Sequence, residues 1–320
     1  MRARTWAVVS LASAVFLALA FPGPRVQAQA TGPKPAAVVN GQVITLAEVD
    51  AGVKVMNGNV QVAVQVPESK RRQMRLEALG MLADNLLLQQ YLRKNAPPAD
   101  PKEMARHLAD LEMALKKENK KLPDYLAENG MTETQLRDQV VNALQWRDYT
   151  QSRVSDAMVE QYYKDNKEFF DGVQVRASHI LIRVPFKASD ADVQAAQNKL
   201  KSIRQEIDSG KITFEEAAKK YSQCPSGTEG GDVGYFPRKF VWDEEFAKAA
   251  FNPQLKIGDM IGLVRTEQGW HLIKLTDRKP GMASDYAKIK NDVRDLYMTE
   301  LRMSIVAAQR KVAKLEINLP

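Results

Sequence analysis

Apolar residues in the first half of this 320-residue chain recur at helical spacing. They predict a long amphipathic helix over 68–95, which ends before Pro97 because proline cannot continue a helix. Three more helices of this kind are predicted to begin at Asp100, Thr132 and Ser155. Ahead of them, Asn40-Gly41 joins two short apolar runs, which is typical of a hairpin turn. The first half is therefore predicted to be a short hairpin followed by helices.

From residue 175 onward the pattern changes to short elements of both kinds. In chain order, the predicted elements are a strand over 175–184, a helix from near Asp190 to Gly210, a helix from Thr213 to Tyr221, a loop over 222–242, a short helix over 243–252, and strands at 261–264 and around His271. After Pro280, Ser284 is predicted to cap a last amphipathic helix. Short strands and helices in this order predict a domain of the α+β class.

The N-terminus has the three parts of an export signal: Arg2 and Arg4, an apolar run over 6–21, and small residues around Ala28 and Ala30. We expect cleavage near Ala28 or Ala30 and export to the periplasm or the extracellular cell envelope. Retention of the segment as an anchor is the alternative. The single cysteine of the chain excludes an internal disulfide.

Net charge says little about partners. Removing residues 1–30 lowers the formal net charge from +7 to +4. That residual charge is compatible with proximity to an anionic membrane surface and is weak evidence for nucleic acid. The chain has no interleaving of aromatic and basic residues of the kind that nucleic-acid surfaces use. No nucleic-acid partner is therefore expected.

Two of the three histidines lie in the predicted strands of the second half, His179 in Ala-Ser-His-Ile-Leu-Ile and His271 in Gly-Trp-His-Leu-Ile. Between them come Ser-Gln-Cys-Pro, which contains Cys224, and the turn Gly230-Gly231-Asp232. This set of motifs resembles the parvulin-type, PpiC-like family of peptidyl-prolyl cis-trans isomerases. The hairpin and helices of the first half resemble the N-terminal chaperone domain of SurA- and PrsA-type foldases.

The resemblance implies an α+β parvulin domain, a small antiparallel sheet wrapped by helices, that is inserted in or appended to an all-α chaperone domain. The predicted boundaries are a signal peptide over 1–30, a linker over 31–36, the helical chaperone domain over 37–172, the parvulin domain over 173–280 and a C-terminal helical segment over 281–320. We expect the last helix to pack on the N-terminal helices, because its apolar face needs a partner. Packing on the parvulin domain is the alternative.

The resemblance also assigns roles to individual residues. It places His179, Cys224 and His271 in the catalytic site, and it places Val233, Phe236, Phe240 and Phe246 in an apolar pocket for the proline ring, with Val241 as the alternative to Phe240. Two of these have structural alternatives: Phe246 has the helical spacing of a core residue, and Cys224 suits a small buried position. The glycines of 230–234 are turn residues, since no Walker lysine follows them. Two distant histidines and one cysteine are a poor zinc set, so no metal is expected.

The resemblance implies an exported foldase that isomerises X-Pro peptide bonds in unfolded secreted or envelope proteins and also acts as a holdase chaperone. Its partners would be unfolded or nascent exported polypeptides. Isomerisation makes and breaks no covalent bond, so no cofactor is expected. The alternative is a non-catalytic periplasmic holdase, whose parvulin domain only binds peptides. The sequence leaves client identity and oligomeric state open.

Overall fold

The structure is a computed structural model that describes residues 35–56, 67–129, 131–185 and 187–319. The predicted signal peptide, with its cleavage positions, lies outside the described residues. The chain divides into two compact units. The first unit contains the described residues up to Asp156 together with those from Arg294 onward, and the second runs from Ala157 to Val293. The domain boundaries predicted at 172 and 280 differ from this division and stay a prediction.

The helices, in chain order, are α1 (Leu46–Met56), α2 (Glu68–Asn95), α3 (Pro101–Lys117), α4 (Leu122–Glu128), α5 (Glu133–Arg153), α6 (Asp156–Asp165), α7 (Lys167–Phe170), α8 (Asp190–Asp208), α9 (Phe214–Tyr221), α10 (Glu244–Ala250) and α11 (Tyr286–Val312). The strands are β1 (Ala37–Val39), β2 (Gln42–Ile44), β3 (Gln174–Arg183), β4 (Asp232–Pro237), β5 (Met260–Thr266), β6 (Gly269–Lys279) and β7 (Leu315–Ile317). A short 3-10 helix covers Pro225–Glu229. Within the described ranges, none of the helices has the length and apolar character that crossing a membrane requires.

Helix α2 is the centre of the first unit, because its apolar stripe packs against α1 and against the hairpin of β1 and β2. Leu82 and Leu86 on this stripe are buried, as the periodicity predicted. Helix α5 begins at the predicted Thr132 with a capping box, in which the Thr132 hydroxyl accepts from the backbone N–H of Gln135. The predicted hairpin and helices of this unit are therefore confirmed.

A strand that the sequence did not predict completes a small sheet in the first unit. Strand β7 pairs antiparallel with β1, so that Ala37 lies opposite Ile317 and the strand order is β2-β1-β7. The three residues of β7 are all exposed, whereas Leu319 just beyond them is buried in the core of this unit. A three-residue alternation of this kind is too short to indicate a strand by its pattern alone.

The last helix begins at Tyr286, two residues after its predicted cap, Ser284. The Asp285 carboxylate accepts from the backbone N–H of Ala287 at 3.1 Å, so Asp285 serves the first turn. The Ser284 hydroxyl instead donates to Asp171 Oδ1 at 2.7 Å, and its backbone N–H donates to the same oxygen at 2.8 Å. The prediction that Ser284 caps the helix is wrong, because Asp285 occupies the cap position and its carboxylate accepts from the first turn, while Ser284 bonds to Asp171.

The second unit is built on an antiparallel sheet of strand order β4-β3-β6-β5. One face of the sheet packs on α10 through a core that includes Val175, Phe246 and Ile273. The other face packs on α8 and α9 through a core that includes Ile180 and Leu272. A small antiparallel sheet with helices on both faces confirms the predicted fold class.

Strand β4 lies inside the stretch 222–242 that the sequence predicted as a loop. Phe236 of β4 pairs opposite Val175 of β3, and its side chain is buried between the sheet and α10. The glycines that suggested a loop occupy positive-φ positions, Gly231 at +83° and Gly234 at +71°. The prediction of one continuous loop is wrong, because glycine marked turns at the start of the strand and within it rather than an unpaired segment.

Candidate active site

The strand register brings His179 of β3 and His271 of β6 to the same face of the sheet. His179 lies opposite Ile273, and Leu181 lies opposite His271, so the two histidines form a diagonal cross-strand pair. Both rings contact Phe246 of α10, at centroid distances of 5.5 and 5.4 Å. The sheet therefore joins two predicted site residues that are 92 positions apart in the chain.

A chain of hydrogen bonds runs through the two histidines. The two Nδ1 atoms lie 3.0 Å apart, His179 Nε2 lies 3.1 Å from Ser226 Oγ, and His271 Nε2 lies 2.8 Å from Thr266 Oγ1. A neutral imidazole has one donor and one acceptor nitrogen, so the chain has two complete arrangements, with the shared proton on either Nδ1. In both arrangements every ring nitrogen has a partner, and the two rings are fixed in place.

Burial keeps both rings neutral. His179 is 0 % exposed and His271 is 2 % exposed. Loss of water penalises the imidazolium form and lowers the pKa of His179 to about 4. The same loss of water, together with the neighbouring His179 and Arg265, lowers the pKa of His271 to about 3. At neutral pH the pair therefore adds polar hydrogen-bonding groups to the site without adding charge.

Aromatic rings cover the histidine pair on the side of α10. Trp242 stacks on Phe246 with centroids 4.6 Å apart, and its ring meets the edge of His179 at 5.5 Å. The ring centroid of Phe236 lies 6.0 Å from the ring centroids of both Trp242 and Phe246. Phe236 and Phe246 are fully buried, and Val233 is partly buried in the same core. Three of the four predicted pocket residues thus share one apolar cluster beside the histidines.

The fourth predicted pocket residue, Phe240, lies apart from this cluster in the described structure. Its side chain is 58 % exposed, and its ring meets Phe169 at 5.8 Å. Its alternative Val241 is equally exposed. Trp242, which the sequence analysis did not single out, is the residue of this segment that packs with the pocket aromatics. The pocket role of Val233, Phe236, Phe240 and Phe246 stays a prediction.

Backbone contacts fix the segment that carries Cys224 against strand β3. The Gln223 N–H donates to Leu181 O at 2.8 Å, and the Leu181 N–H donates to Ser222 Oγ at 3.1 Å. The Arg183 N–H donates to Gln223 Oε1 at 2.6 Å. Cys224 itself is partly exposed and opens the 3-10 helix that presents Ser226 to His179. The cysteine and the histidine network are therefore tied to the same strand.

The Gly231 backbone lies directly against the His179 backbone. The His179 N–H donates to Gly231 O at 2.9 Å, and a Cβ on Gly231 would lie 2.4 Å from His179 O. The neighbouring Asp232 pairs with Arg176, and this hydrogen-bonded ion pair lowers the pKa of the Asp232 carboxyl. The Gly-Gly-Asp motif thus has a structural task, which is to bring β4 close to the histidine strand.

Sequence reasoning missed three residues that touch the histidine pair, namely Ser226, Thr266 and Trp242. Ser226 is two positions after Cys224, and Thr266 comes just before the turn into the strand of His271. Hydroxyl side chains next to a predicted site were the available signal for the first two. Among the described residues, no group of three or more His, Cys, Asp or Glu side chains is placed to hold a metal ion.

Two family models match the chain: the PPIC-type PPIASE domain over residues 179–277 and the SurA-like N-terminal domain over residues 1–150. The peptidyl-prolyl cis-trans isomerase Pin1 of Arabidopsis thaliana is 40% identical over 116 residues, which cover 95% of that protein and 32% of this chain. The chain belongs to the PpiC-type peptidyl-prolyl isomerase family. The family match over 179–277 lies within the second unit and includes both buried histidines.

Two further relatives of this parvulin extend beyond the isomerase domain. The foldase protein PrsA of Bacillus subtilis is 31% identical over 185 residues, which cover 54% of this chain and 58% of that protein. The chaperone SurA of Alcanivorax borkumensis is 30% identical over 259 residues, which cover 77% of this chain and 57% of that protein. The matched region thus spans less than two thirds of the length of either relative.

Proposed function

We propose that this chain is an exported foldase that isomerises X-Pro peptide bonds in unfolded secreted or envelope proteins, and that it also holds such chains as a chaperone. The observation that carries the proposal is the buried, neutral pair of His179 and His271, with its Nδ1 atoms 3.0 Å apart, inside a domain of the PpiC-type family. The names of the relatives PrsA and SurA, a foldase and a chaperone, support both parts.

Isomerisation requires the X-Pro amide to twist out of its plane against a resonance barrier of about 18–20 kcal/mol. A site lowers this barrier only if it binds the twisted amide better than the planar one. In the proposed mechanism Val233, Phe236, Phe240 and Phe246 form the apolar environment of the proline ring, and Trp242 adds to it. This environment keeps water from the amide and strengthens the hydrogen bonds made to its twisted form.

The histidine pair is the rigid polar floor of the proposed site. Because every ring nitrogen of His179 and His271 is already hydrogen-bonded, the floor needs no reorganisation when the amide twists. Cys224 acts as a polar group near the amide and forms no covalent bond with it. The reaction then needs neither a nucleophile nor a cofactor.

Removing either histidine tests this mechanism. We expect His179→Ala or His271→Ala to lower kcat/KM on a proline peptide about tenfold or more, which is roughly 1.4 kcal/mol of transition-state stabilisation. His107→Ala is the matched control, because His107 is exposed on α3. Thermal melting of each variant separates lost catalysis from lost structure. Unchanged activity in both folded histidine variants would rule out the proposed site.

The role of Cys224 has its own test. If the thiol acts as a polar group, Cys224→Asp keeps substantial isomerase activity, and Cys224→Ala loses more than Cys224→Asp does. Both are measured by the same peptide assay. Loss of all activity in a folded Cys224→Asp, together with a covalent adduct between the wild-type Cys224 thiol and the intact peptide seen by mass spectrometry, would overturn the non-covalent mechanism.

Export and the holdase role are tested in the cell and on an aggregating client. N-terminal sequencing should show that the mature protein begins just after Ala28 or Ala30. Cell fractionation should find this protein outside the cytoplasm. The purified chain should suppress aggregation of an unfolded, proline-free client. If the wild-type chain suppresses aggregation but has no isomerase activity, the protein is instead the non-catalytic holdase.

A further inference from the structure

A second cleft of about 840 Å³ opens in the parvulin unit, between α10, strand β5 and the turn that follows α10. Its apolar floor includes Phe251, Leu255, Ile261 and Leu263. None of the predicted catalytic or proline-pocket residues lines it in the described structure. The cleft is therefore separate from the histidine site, and the proposed isomerisation leaves it without a role.

Strand β5 supplies one wall of this cleft as a sheet edge. In the described sheet β5 pairs with β6 on one side and has no strand on the other. Its register shifts between Ile261 and Val264, where two residues of β5 oppose one of β6. Such a bulge turns neighbouring side chains toward different sides. Leu263 packs with the α8–α9 core, Val264 packs with the α10 core, and both line the cleft.

The charges in the cleft are incompletely paired. Arg265 makes no ion pair or side-chain hydrogen bond within the described residues, and its Nη1 is buried without an acceptor. Its guanidinium lies over the ring of Trp270 at 5.8 Å, and the indole Nε1 also lacks an acceptor. Lys248 likewise has no salt bridge in the described part of the chain. Of the two acids that line the cleft, Glu245 also has none there. Within the described residues, Arg265 and Lys248 thus line the cleft without a salt bridge, and Glu245 lines it without one as well.

Other charges of the cleft are already engaged. Arg238 pairs with Glu244, and Glu168 pairs with Arg278 at 3.4 Å. Because Arg265 has no acceptor within the described residues, a carboxylate in the cleft would add an ionic hydrogen bond without displacing a protein partner. The cleft is therefore complementary to an acceptor-rich, negatively charged ligand with apolar neighbours.

We propose that this cleft is a second peptide-binding groove, which takes an extended polypeptide segment that carries an acidic side chain. The backbone of the segment pairs along the edge of β5, apolar side chains cover Leu263 and Phe251, and the carboxylate binds Arg265 and Lys248. Because the ligand is another part of the client chain whose proline is isomerised, this inference rests on the proposed function.

The groove is connected to the isomerase site through strand β5. Arg265 lines the groove, and the next residue, Thr266, lies 2.8 Å from His271 through its hydroxyl. The groove and the histidine pair therefore share strand β5, and neighbouring residues of that strand reach each of them. A client held in the groove raises the effective concentration of its prolines at the histidine pair. The groove thus selects clients by an acidic segment near, but not next to, the proline.

Binding of a proline-free probe to the full chain tests the groove without relying on catalysis. The probe is a fluorescein-labelled peptide of alternating leucine and glutamate, and its affinity is measured by anisotropy. We expect the double variant Arg265→Gln with Lys248→Gln to bind it about tenfold more weakly. The matched control removes two exposed lysines elsewhere in the unit, Lys201→Gln with Lys211→Gln, and should bind like wild type.

Changing the probe provides a test that needs no altered protein. A probe with glutamine in place of glutamate should bind wild type about tenfold more weakly than the acidic probe, and the double variant should not distinguish the two. Equal binding of both probes by wild type, or equal loss in the double variant and the lysine control, overturns the groove. Isomerisation of a short proline peptide is measured separately: its absence with intact probe discrimination rejects the proposed function and leaves the groove standing.

Discussion

The deepest polar side chains of the two units have opposite surroundings. His179, the most buried polar residue of the second unit, is 0 % exposed and has a hydrogen-bond partner at each ring nitrogen. Gln89 holds the same rank in the described part of the first unit, where it is 1 % exposed and neither amide atom has a partner. The most buried polar group of the second unit thus belongs to a fully satisfied network, whereas that of the first unit is unsatisfied.

This difference matches what the two units are proposed to do. A site that binds a twisted amide needs groups held in one geometry, and a satisfied buried network provides that. A surface that holds many unfolded chains needs side chains that adapt, and the first unit exposes the flexible side chains Met81, Met113 and Met303. The comparison predicts that point changes near His179 act sharply and that changes near Gln89 are mild.

The largest expected effect comes from Gly231→Ala. The new Cβ would lie 2.4 Å from His179 O at a φ of +83°, so we expect a loss of about 3 kcal/mol or more in the free energy of unfolding. Gly234→Ala is the matched control, because Gly234 also has a positive φ but open space around it, and should cost about 1–2 kcal/mol. Urea unfolding is followed by the fluorescence of Trp242 and Trp270 in a Trp146→Phe background, so that the signal reports on this unit. Equal losses in the two variants would contradict the close approach.

Acid is expected to have an effect of similar size on the second unit. The folded-state pKa values of about 4 for His179 and about 3 for His271 lie below the ordinary histidine value. The unfolded chain therefore binds protons first as the pH falls. The contribution of the two neutral histidines to the free energy of unfolding is present above about pH 6.5 and is lost on acidification. At pH 5 the loss is about 2 kcal/mol per histidine.

A series of urea midpoints from pH 7.5 to about pH 5 measures this loss. Ring-proton NMR supplies the site-specific readout, in which both buried histidines should remain neutral at about pH 5. Stability of the second unit that stays level over this range, or a buried ring that titrates near its ordinary pKa, would contradict the account of the pair.

The smallest expected effects compare one polar substitution in each unit. Gln89→Leu removes an unsatisfied buried amide and should raise the stability of the first unit by about 1 kcal/mol. Thr266→Val takes the partner from His271 Nε2 and should lower the stability of the second unit by about 1–3 kcal/mol. Urea unfolding of both variants gives the two signs. The same sign for both would remove the contrast between Gln89 and the histidine network.

Much of the fold could be predicted because its signals are local. The capping boxes of Thr132 with Gln135 and of Thr213 with Glu216 both form where the sequence indicated them. Strand β7 could not be predicted, because three exposed residues carry no burial pattern and the pairing partner lies at the other end of the chain. Ser284 was assigned the wrong task because its partner Asp171 is distant in sequence.

The candidate site divides in the same way. His179 and His271 could be predicted as a pair from matching strand motifs, and the register brings them together. Ser226 and Thr266 could not be predicted as the hydrogen-bond partners of these rings. Loop geometry determines which hydroxyl reaches a ring nitrogen. Trp242 could not be preferred to Phe240 by pattern, since both are aromatic residues of one short segment and the packing decides between them.

The most direct test of the central claim is refolding of a client whose slow phase is limited by proline isomerisation and which also aggregates. Wild type should speed up the proline-limited phase and suppress light scattering. The double variant His179→Ala with His271→Ala, if folded, should no longer speed up the proline-limited phase but should still suppress light scattering. The reason is that catalysis depends on the histidine pair, whereas holding of unfolded chains depends on the first unit. Acceleration that survives in this variant, or loss of both activities together, would contradict the account.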